Sequence, residues 1–185
     1  MNNTYTAKEI EIANKTSRSS GAVGKNAIIP RMVKDYLQDL AENNQDIYKV
    51  LDFGAGKDAV HAQNLNENSF CHVDAYEFGK NSNDNHIKGL VFDFYDIVYA
   101  SNVLNVQSSI TMLIETLTTI HSCLRKGGKF IANYPKSPRK MPDYTREQML
   151  YMIEGMGFQV EFNKKYLTYF CTKVGNKTIS KQKEV

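Results

Sequence analysis

Apolar positions along this chain fall into short runs whose spacing switches repeatedly between two periods, and the switches predict its elements. Behind Pro30, a good first residue for a helix, Met32, Val33, Tyr36, Leu37 and Leu40 recur at helical spacing and form one apolar face. A compact run then ends at Asp52 and Phe53 and breaks into Gly54-Ala-Gly56, which reads as a strand entering a tight turn. The next helix follows Asp58 and carries Val60 and Leu65; Asp58 is expected to complement its N-terminal dipole. Cys71-His-Val-Asp74 and Tyr95-Asp-Ile-Val-Tyr-Ala100 are further strands. After the second of these, Ser108 or Ser109 caps a helix expected to turn Ile110, Leu113, Ile114, Leu117 and Leu124 inward. Arg125 and Lys126 suit its C-terminal dipole, and Gly127 its stop. Thr145-Arg-Glu-Gln148 is a capping box, with Tyr144 and Met149 as a hydrophobic staple, for a helix that stops near Gly155 or Gly157. Phe158 to Phe162 and Leu167 to Val174 then form a closing antiparallel pair.

Alternating strand and helix signals predict an α/β fold with a doubly wound, Rossmann-like sheet, mostly parallel apart from the C-terminal pair. Between Tyr76 and Phe94 only Leu90 to Phe92 would make a strand, and a parallel crossover needs about a dozen residues, so a third strand is short or absent. Residues 1–25 are polar, rich in Ser and Lys and without usable period, and read as an arm. The folded domain then spans 26–174, followed by a basic tail, 175–185.

Composition narrows the partners. The chain has 185 residues, enough for one domain with a sizeable core, and a net charge of +3. No apolar run approaches the ~20 residues of a membrane helix, and no signal peptide opens the chain. Cys71, Cys123 and Cys171 are few and scattered, which predicts reduced thiols in a cytoplasmic protein. His61, His72, His86 and His121 are equally dispersed, so no metal site is expected.

The glycine turn carries the chemistry. Gly54-x-Gly56-x-x-Ala59 satisfies the dinucleotide fingerprint, with Asp74 at about the expected spacing of ~20 residues. The charges argue against a pyrophosphate, which would meet Asp52 and Asp58 together. A zwitterionic amino acid would instead set its ammonium beside an anion and its carboxylate on helix-start N–H groups.

The chain resembles the class I S-adenosylmethionine-dependent methyltransferases. Val50-Leu-Asp-Phe-Gly-Ala-Gly56 is similar to the first motif of that family, Cys71-His-Val-Asp74 to its second strand with a terminal acid, and Tyr95-Asp-Ile-Val-Tyr-Ala-Ser-Asn-Val-Leu104 to its fourth strand and following loop. Lys126-Gly-Gly-Lys-Phe-Ile-Ala132 looks like the turn into the fifth strand, and the likeness covers roughly residues 48 to 174. It implies S-adenosylmethionine as cofactor, held by Asp52, Phe53, Gly54, Ala55, Gly56, Asp74, Ala75, Ala100 and Ser101, with Asp74 on the ribose hydroxyls. Asp93 is a candidate for the adenine-contacting acid of the missing strand. Where many members have a third glycine, this chain has Asp58.

Methyl transfer is largely a matter of holding donor and acceptor in line, so an obvious general base is not required. Ser101 and Asn102 would lie nearest the methyl, Asn102 either contacting the acceptor or tying down its own loop, and Tyr134 would wall an acceptor pocket or pack. Ser101-Asn-Val-Leu104 lacks the prolines and aromatic of amino-methylating DNA enzymes and the Cys nucleophile of cytosine C5 enzymes. Lys15, Arg18, Lys136, Arg139 and Lys140 would contact nucleic-acid phosphates or simply be solvated. The arm would equally fold over the cofactor as a lid. The expected activity is methyl transfer to an unidentified acceptor. The alternatives are a non-catalytic cofactor-binding module, a partner-dependent nucleic-acid methyltransferase subunit and, more weakly, a nicotinamide-dependent oxidoreductase.

Overall fold

The computed structural model describes residues 5–18, 30–43, 47–67, 71–135 and 143–174, apart from the side chains of Ser17 and Arg18. In chain order its elements are α1 (Ala7–Arg18), α2 (Arg31–Asn43), β1 (Tyr48–Phe53), α3 (Val60–Asn66), β2 (Cys71–Tyr76), β3 (Tyr95–Ala100), α4 (Ile110–Cys123), β4 (Leu124–Asn133), α5 (Arg146–Gly155), β5 (Phe158–Asn163) and β6 (Thr168–Lys173). The strands form one sheet in the order β2-β1-β3-β4-β6-β5. The first four in that order run parallel, and β6 and β5 close the sheet antiparallel. The chain therefore reverses its direction of travel across the sheet between β1 and β3, the place where open α/β sheets bind ligands.

Strand alternation splits the core into two layers. Leu51, Phe53, Val98 and Phe130 pack with Leu113 and Leu117 of α4 and with Met149 and Ile153 of α5. Val50, Ile97, Tyr99 and Ile131 point the other way, against Val33 and Leu37 of α2 and Ala62 and Leu65 of α3. Each fully buried leucine of these layers contributes about 1.5–3 kcal/mol of transfer free energy.

Residues 77–94 contain no strand, only a 3-10 turn at Gly79–Asn81, so β2 is an edge. Two side groups cover that edge. The Asn66 amide imitates a neighbouring strand at Val73, accepting from its N–H at 2.8 Å and donating to its carbonyl at 2.9 Å. Ile87 N–H donates to Ala75 O at 2.9 Å. Covering an edge in this way denies another chain a template for pairing.

Several elements differ from the sequence reading. Within the segment expected to be an arm, α1 is a helix opened by a capping box, in which Glu9 N–H donates to Thr6 Oγ1 and Thr6 N–H to the Glu9 carboxylate. Ser109 caps α4, but Ile110 and Ile114 face outward, because the helix is rotated to set Met112, Leu113, Thr116, Leu117 and Ile120 on the sheet. Leu124, Arg125 and Lys126 belong to β4 rather than to the end of that helix, and Arg125 pairs with Asp96 at 2.6 Å. Helix α3 begins at Val60, with Ala59 in the left-handed region as its cap, so Asp58 precedes the helix. The Thr145–Gln148 capping box of α5 forms as its sequence implies. The tail at 175–185 lies outside the described residues.

Candidate active site

Three loops and helix α1 meet at the C-terminal edge of the parallel strands. The glycine turn after β1 is fixed first: Gly54 and Ala55 N–H groups both donate to Tyr76 O, at 2.9 and 3.0 Å. Gly54, at φ +78°, lies so close to the loop after β3 that an added Cβ would sit 2.5 Å from Val103 Cγ2. Gly56, at φ +71°, has the opposite surroundings, with nothing within 4 Å of an added Cβ. Gly56 lines the cleft, where no side chain of its own obstructs a ligand.

The acid at the end of β2 is Glu77, not Asp74. Strand β2 runs on to Tyr76, which leaves Asp74 in mid-strand, where it accepts from Tyr95 Oη at 2.8 Å and lies 3.2 Å from His72 Nε2. Glu77 is buried at the cleft, with Oε2 accepting from Gly56 N–H at 2.8 Å and Oε1 from Phe78 N–H at 2.9 Å. Burial raises its carboxyl above the usual range, and those two backbone donors pull it back down. A sequence signal for Glu77 exists in the alternation itself. Cys71, Val73, Ala75 and Glu77 are the buried positions of one phase, and Asp74 is in the other.

Past Glu77, the segment that replaces a third strand braces the turn from outside. His86 Nδ1 accepts from Asn83 N–H at 3.1 Å, so Nε2 carries the proton that it donates to Gly56 O at 2.8 Å. Asn83 Nδ2 donates to Lys57 O at 2.8 Å. Neither residue is recognisable from sequence, because both act from an irregular segment. Asp93 lies at the N-terminal end of β3, on the opposite edge of the sheet, where Lys173 binds it at 2.9 Å. It cannot reach an adenine in the cleft.

The loop after β3 supplies Ser101, Asn102 and Val103, and Gln107 pins it by donating to Val103 O and accepting from Thr116 Oγ1. Asn102 adopts φ +58°, and its N–H donates to Asn133 Oδ1 at 2.6 Å. Asn133 Nδ2 returns a bond to Asn102 Oδ1 at 3.0 Å, which clamps the ends of β3 and β4 together. The fourth wall is α1, whose Ala13 and Asn14 close a cavity of about 30 Å³ with Gly54, Gly56, Glu77 and Ser101. That is room for a water or two. Helix α1 is seated by Ser108 Oγ, which donates to Glu9 O at 3.1 Å, and by Ile10 against Gly79.

Of the other expected cofactor residues, Phe53 and Ala75 are buried in the two core layers, Ala55 packs beside α2 and α3, and Ala100 ends β3. Asp52 is 1 % exposed and lies across from Tyr99 on the side of α2 and α3. Its carboxyl is pushed up to about 7 by burial, with Tyr99 lowering it and the Glu77 charge adding to the rise. Lys15 pairs with Glu11 at 3.2 Å, while Lys136, Arg139, Lys140 and the Arg18 side chain lie outside the described residues. Among the described residues no cluster of His, Cys, Asp and Glu has metal-ligand geometry, and no helix is long and apolar enough to cross a membrane.

This architecture recurs in known proteins. A family model described as a methyltransferase domain matches residues 26–172. No curated protein sequence matches the chain. Among solved structures, the chain is similar to S-adenosylmethionine-bound CalS10, an amino pentose methyltransferase from Micromonospora echinaspora involved in calicheamicin biosynthesis. The two share 12% identity and a TM-score of 0.61, over 94% of this chain and 99% of that one. It is also similar to a SAM-dependent methyltransferase from Aquifex aeolicus, at 13% identity and TM-score 0.56 over 92% and 100% of the two chains. A third, from Archaeoglobus fulgidus, has 14% identity and TM-score 0.54 over 78% and 95%. At such identities the likeness is one of fold. The family match spans most of the chain, and the protein belongs to the methyltransferase-domain family: it is a class I S-adenosylmethionine-dependent methyltransferase.

Proposed function

We propose that the cleft between the glycine turn and the loop after β3 holds S-adenosylmethionine, and that the methyl passes outward beside Asn102 to an acceptor beyond it. The observation that carries this reading is Gly56, whose missing Cβ would project into open space at the mouth of the turn. With no Cβ in the way, the polar amino-acid end of the cofactor has room to approach the turn there. Glu77 supplies two carboxylate oxygens at the end of β2, suited to accept from a ribose diol, and the bond it now receives from Gly56 N–H keeps it in place. The cofactor supplies a methyl group bound to a sulfonium sulfur, and the protein supplies position. Asn102 acts by holding its loop, since its Oδ1 is already occupied by Asn133. Ser101 lines the same cavity and is the hydroxyl closest in sequence to that clamp.

Helix α1 serves as a lid in this reading. A cavity of about 30 Å³ admits no nucleoside, so α1 swings aside for the cofactor and returns over it. The contrast between the two acids of β2 tests the assignment. Glu77→Gln is expected to weaken S-adenosylhomocysteine binding about tenfold or more, equivalent to about 1.4 kcal/mol. Asp74→Asn should leave that affinity within about twofold, because Asp74 serves Tyr95. Equal losses in the two variants, read by calorimetry, would remove Glu77 from the cofactor site.

A further inference from the structure

A groove of about 670 Å³ opens next to the cofactor cleft, where the end of β4, the start of α5 and the turn between β5 and β6 meet. Its volume is within the range of about 300–1,000 Å³ typical of small-molecule sites. Asn133 is the hinge between the two spaces. It lines the groove, and its side chain is bonded to Asn102, which lines the cleft.

The walls are aromatic. Tyr134, Tyr144, Phe162, Tyr166 and Tyr169 surround the groove, and Phe162 and Tyr169 meet edge to face at 5.1 Å. Three of the hydroxyls are committed to the protein. Tyr134 Oη accepts from Tyr144 N–H at 3.3 Å, Tyr169 Oη donates to Arg146 O at 3.0 Å, and Tyr166 Oη donates to Asp35 at 3.0 Å. Tyr134 and Tyr169 are core residues, so the ring surface on offer comes mainly from Tyr144, Phe162 and Tyr166, and it favours a flat ring.

Among the described residues that line the groove, the cation is Arg146, and Lys165 and Arg31 stand over the Tyr166 ring. The Arg146 guanidinium lies 4.3 Å from the centroid of the Phe162 ring, and among the described residues no carboxylate pairs with it. Two acids share the rim. Glu147 is held below the usual carboxylate range by its own backbone N–H and by Thr145, so its charge is satisfied at the helix start. Asp143 is the other, and it is engaged in interactions of its own. The Arg146 charge also acts on Glu147, but its guanidinium stands over the Phe162 ring at the groove, and an arginine can grip a carboxylate through two N–H groups.

We infer that this groove is the acceptor site, and that the acceptor is a small aromatic acid. Its ring lies among the tyrosines, its carboxylate on Arg146, and a ring hydroxyl or amine faces Asn133. The inference rests on the methyltransferase reading above. In the transfer, a bond forms between the acceptor oxygen or nitrogen and the methyl carbon while the carbon–sulfur bond breaks. The bonding pair stays on sulfur, giving S-adenosylhomocysteine, and the acceptor's proton leaves to water.

The test uses the full chain saturated with S-adenosylhomocysteine, titrated with 3,4-dihydroxybenzoate and with catechol, the same ring without the acid. The acid is expected to bind at least tenfold more tightly than catechol. Arg146→Gln should bring the two within about twofold, and Arg146→Lys should restore part of the difference. Phe162→Ala should weaken both ligands. A thermal melt of each variant separates lost contacts from lost folding. Equal binding of acid and catechol in the wild-type protein would overturn the inference, as would binding of neither. Failure to bind S-adenosylhomocysteine would instead overturn the cofactor reading, so the two failures are distinguishable.

Discussion

At Asp52 the sequence places a carboxylate beside a ligand turn, and the fold buries it at 1 % exposure on the side of α2 and α3. Its Oδ2 meets no donor in good hydrogen-bonding geometry, and the neighbouring Tyr99 hydroxyl, which favours the ionised form, does not offset the burial. The folded-state pKa is about 7, against an ordinary value of 3.8. Below about pH 4 both states hold the proton. Between pH 4 and 7 the unfolded chain releases it and the folded chain keeps it, so stability falls as pH rises through that window. Glu77, raised by burial as well, adds to the trend with the same sign. Asp52→Asn is expected to remove the larger part of the decline, at most about 4 kcal/mol between pH 4 and 8. Melting temperatures of both proteins across that range check it, and parallel slopes would mean Asp52 ionises freely when folded. At this scale the turns that hold Gly54, Gly56, Ser101 and Asn102 are legible, because a turn at a strand end is a local pattern. That β2 runs past Asp74 to Tyr76, with Glu77 next, is not, because the exit point of a strand depends on its neighbours: β1 and β2 stay paired as far as Phe53 and Tyr76.

Among the elements, those with a strong local period or cap were legible: α2, the core strands, the Ser109 cap and the Thr145–Gln148 box. Helix α4 shows the limit. Its apolar residues spread over a wide arc, so its period does not say which part of that arc meets the sheet, and Ile110 and Ile114 remain exposed. Helix α1 was read as an arm, although Thr6-Ala-Lys-Glu9 is a capping box, because its apolar face is thin and includes the small residue Ala13. That face packs where the absent third strand leaves room, against the 3-10 turn at Gly79. Gly79 has φ +70°, and an added Cβ would lie 2.5 Å from Ile10 Cγ2. Gly79→Ala should therefore unseat α1, at a backbone cost of about 1 kcal/mol. The predicted consequence is kinetic: S-adenosylhomocysteine should dissociate several-fold faster by stopped flow while the far-UV spectrum is retained. An unchanged rate would mean that α1 does not gate the cleft.

The whole molecule is a class I methyltransferase sheet reduced by one strand, with the lost edge covered by the Asn66 amide and Ile87. In place of a strand, residues 77–94 form a brace in which His86 and Asn83 hold the glycine turn. The family was legible because three motifs fall in order along a wound sheet. The groove proposed for the acceptor was not, because it is assembled from β4, α5 and the β5–β6 turn, which are distant in sequence. The central claim is that the turn at Gly54–Gly56, with Glu77 beside it, takes a nucleoside amino acid and not a dinucleotide. It is tested most directly by calorimetric titration of the purified chain with S-adenosylhomocysteine, S-adenosylmethionine and NAD. The account predicts that the first two bind with one site per chain and that NAD does not. Binding of NAD alone, or no binding of S-adenosylhomocysteine, would contradict it.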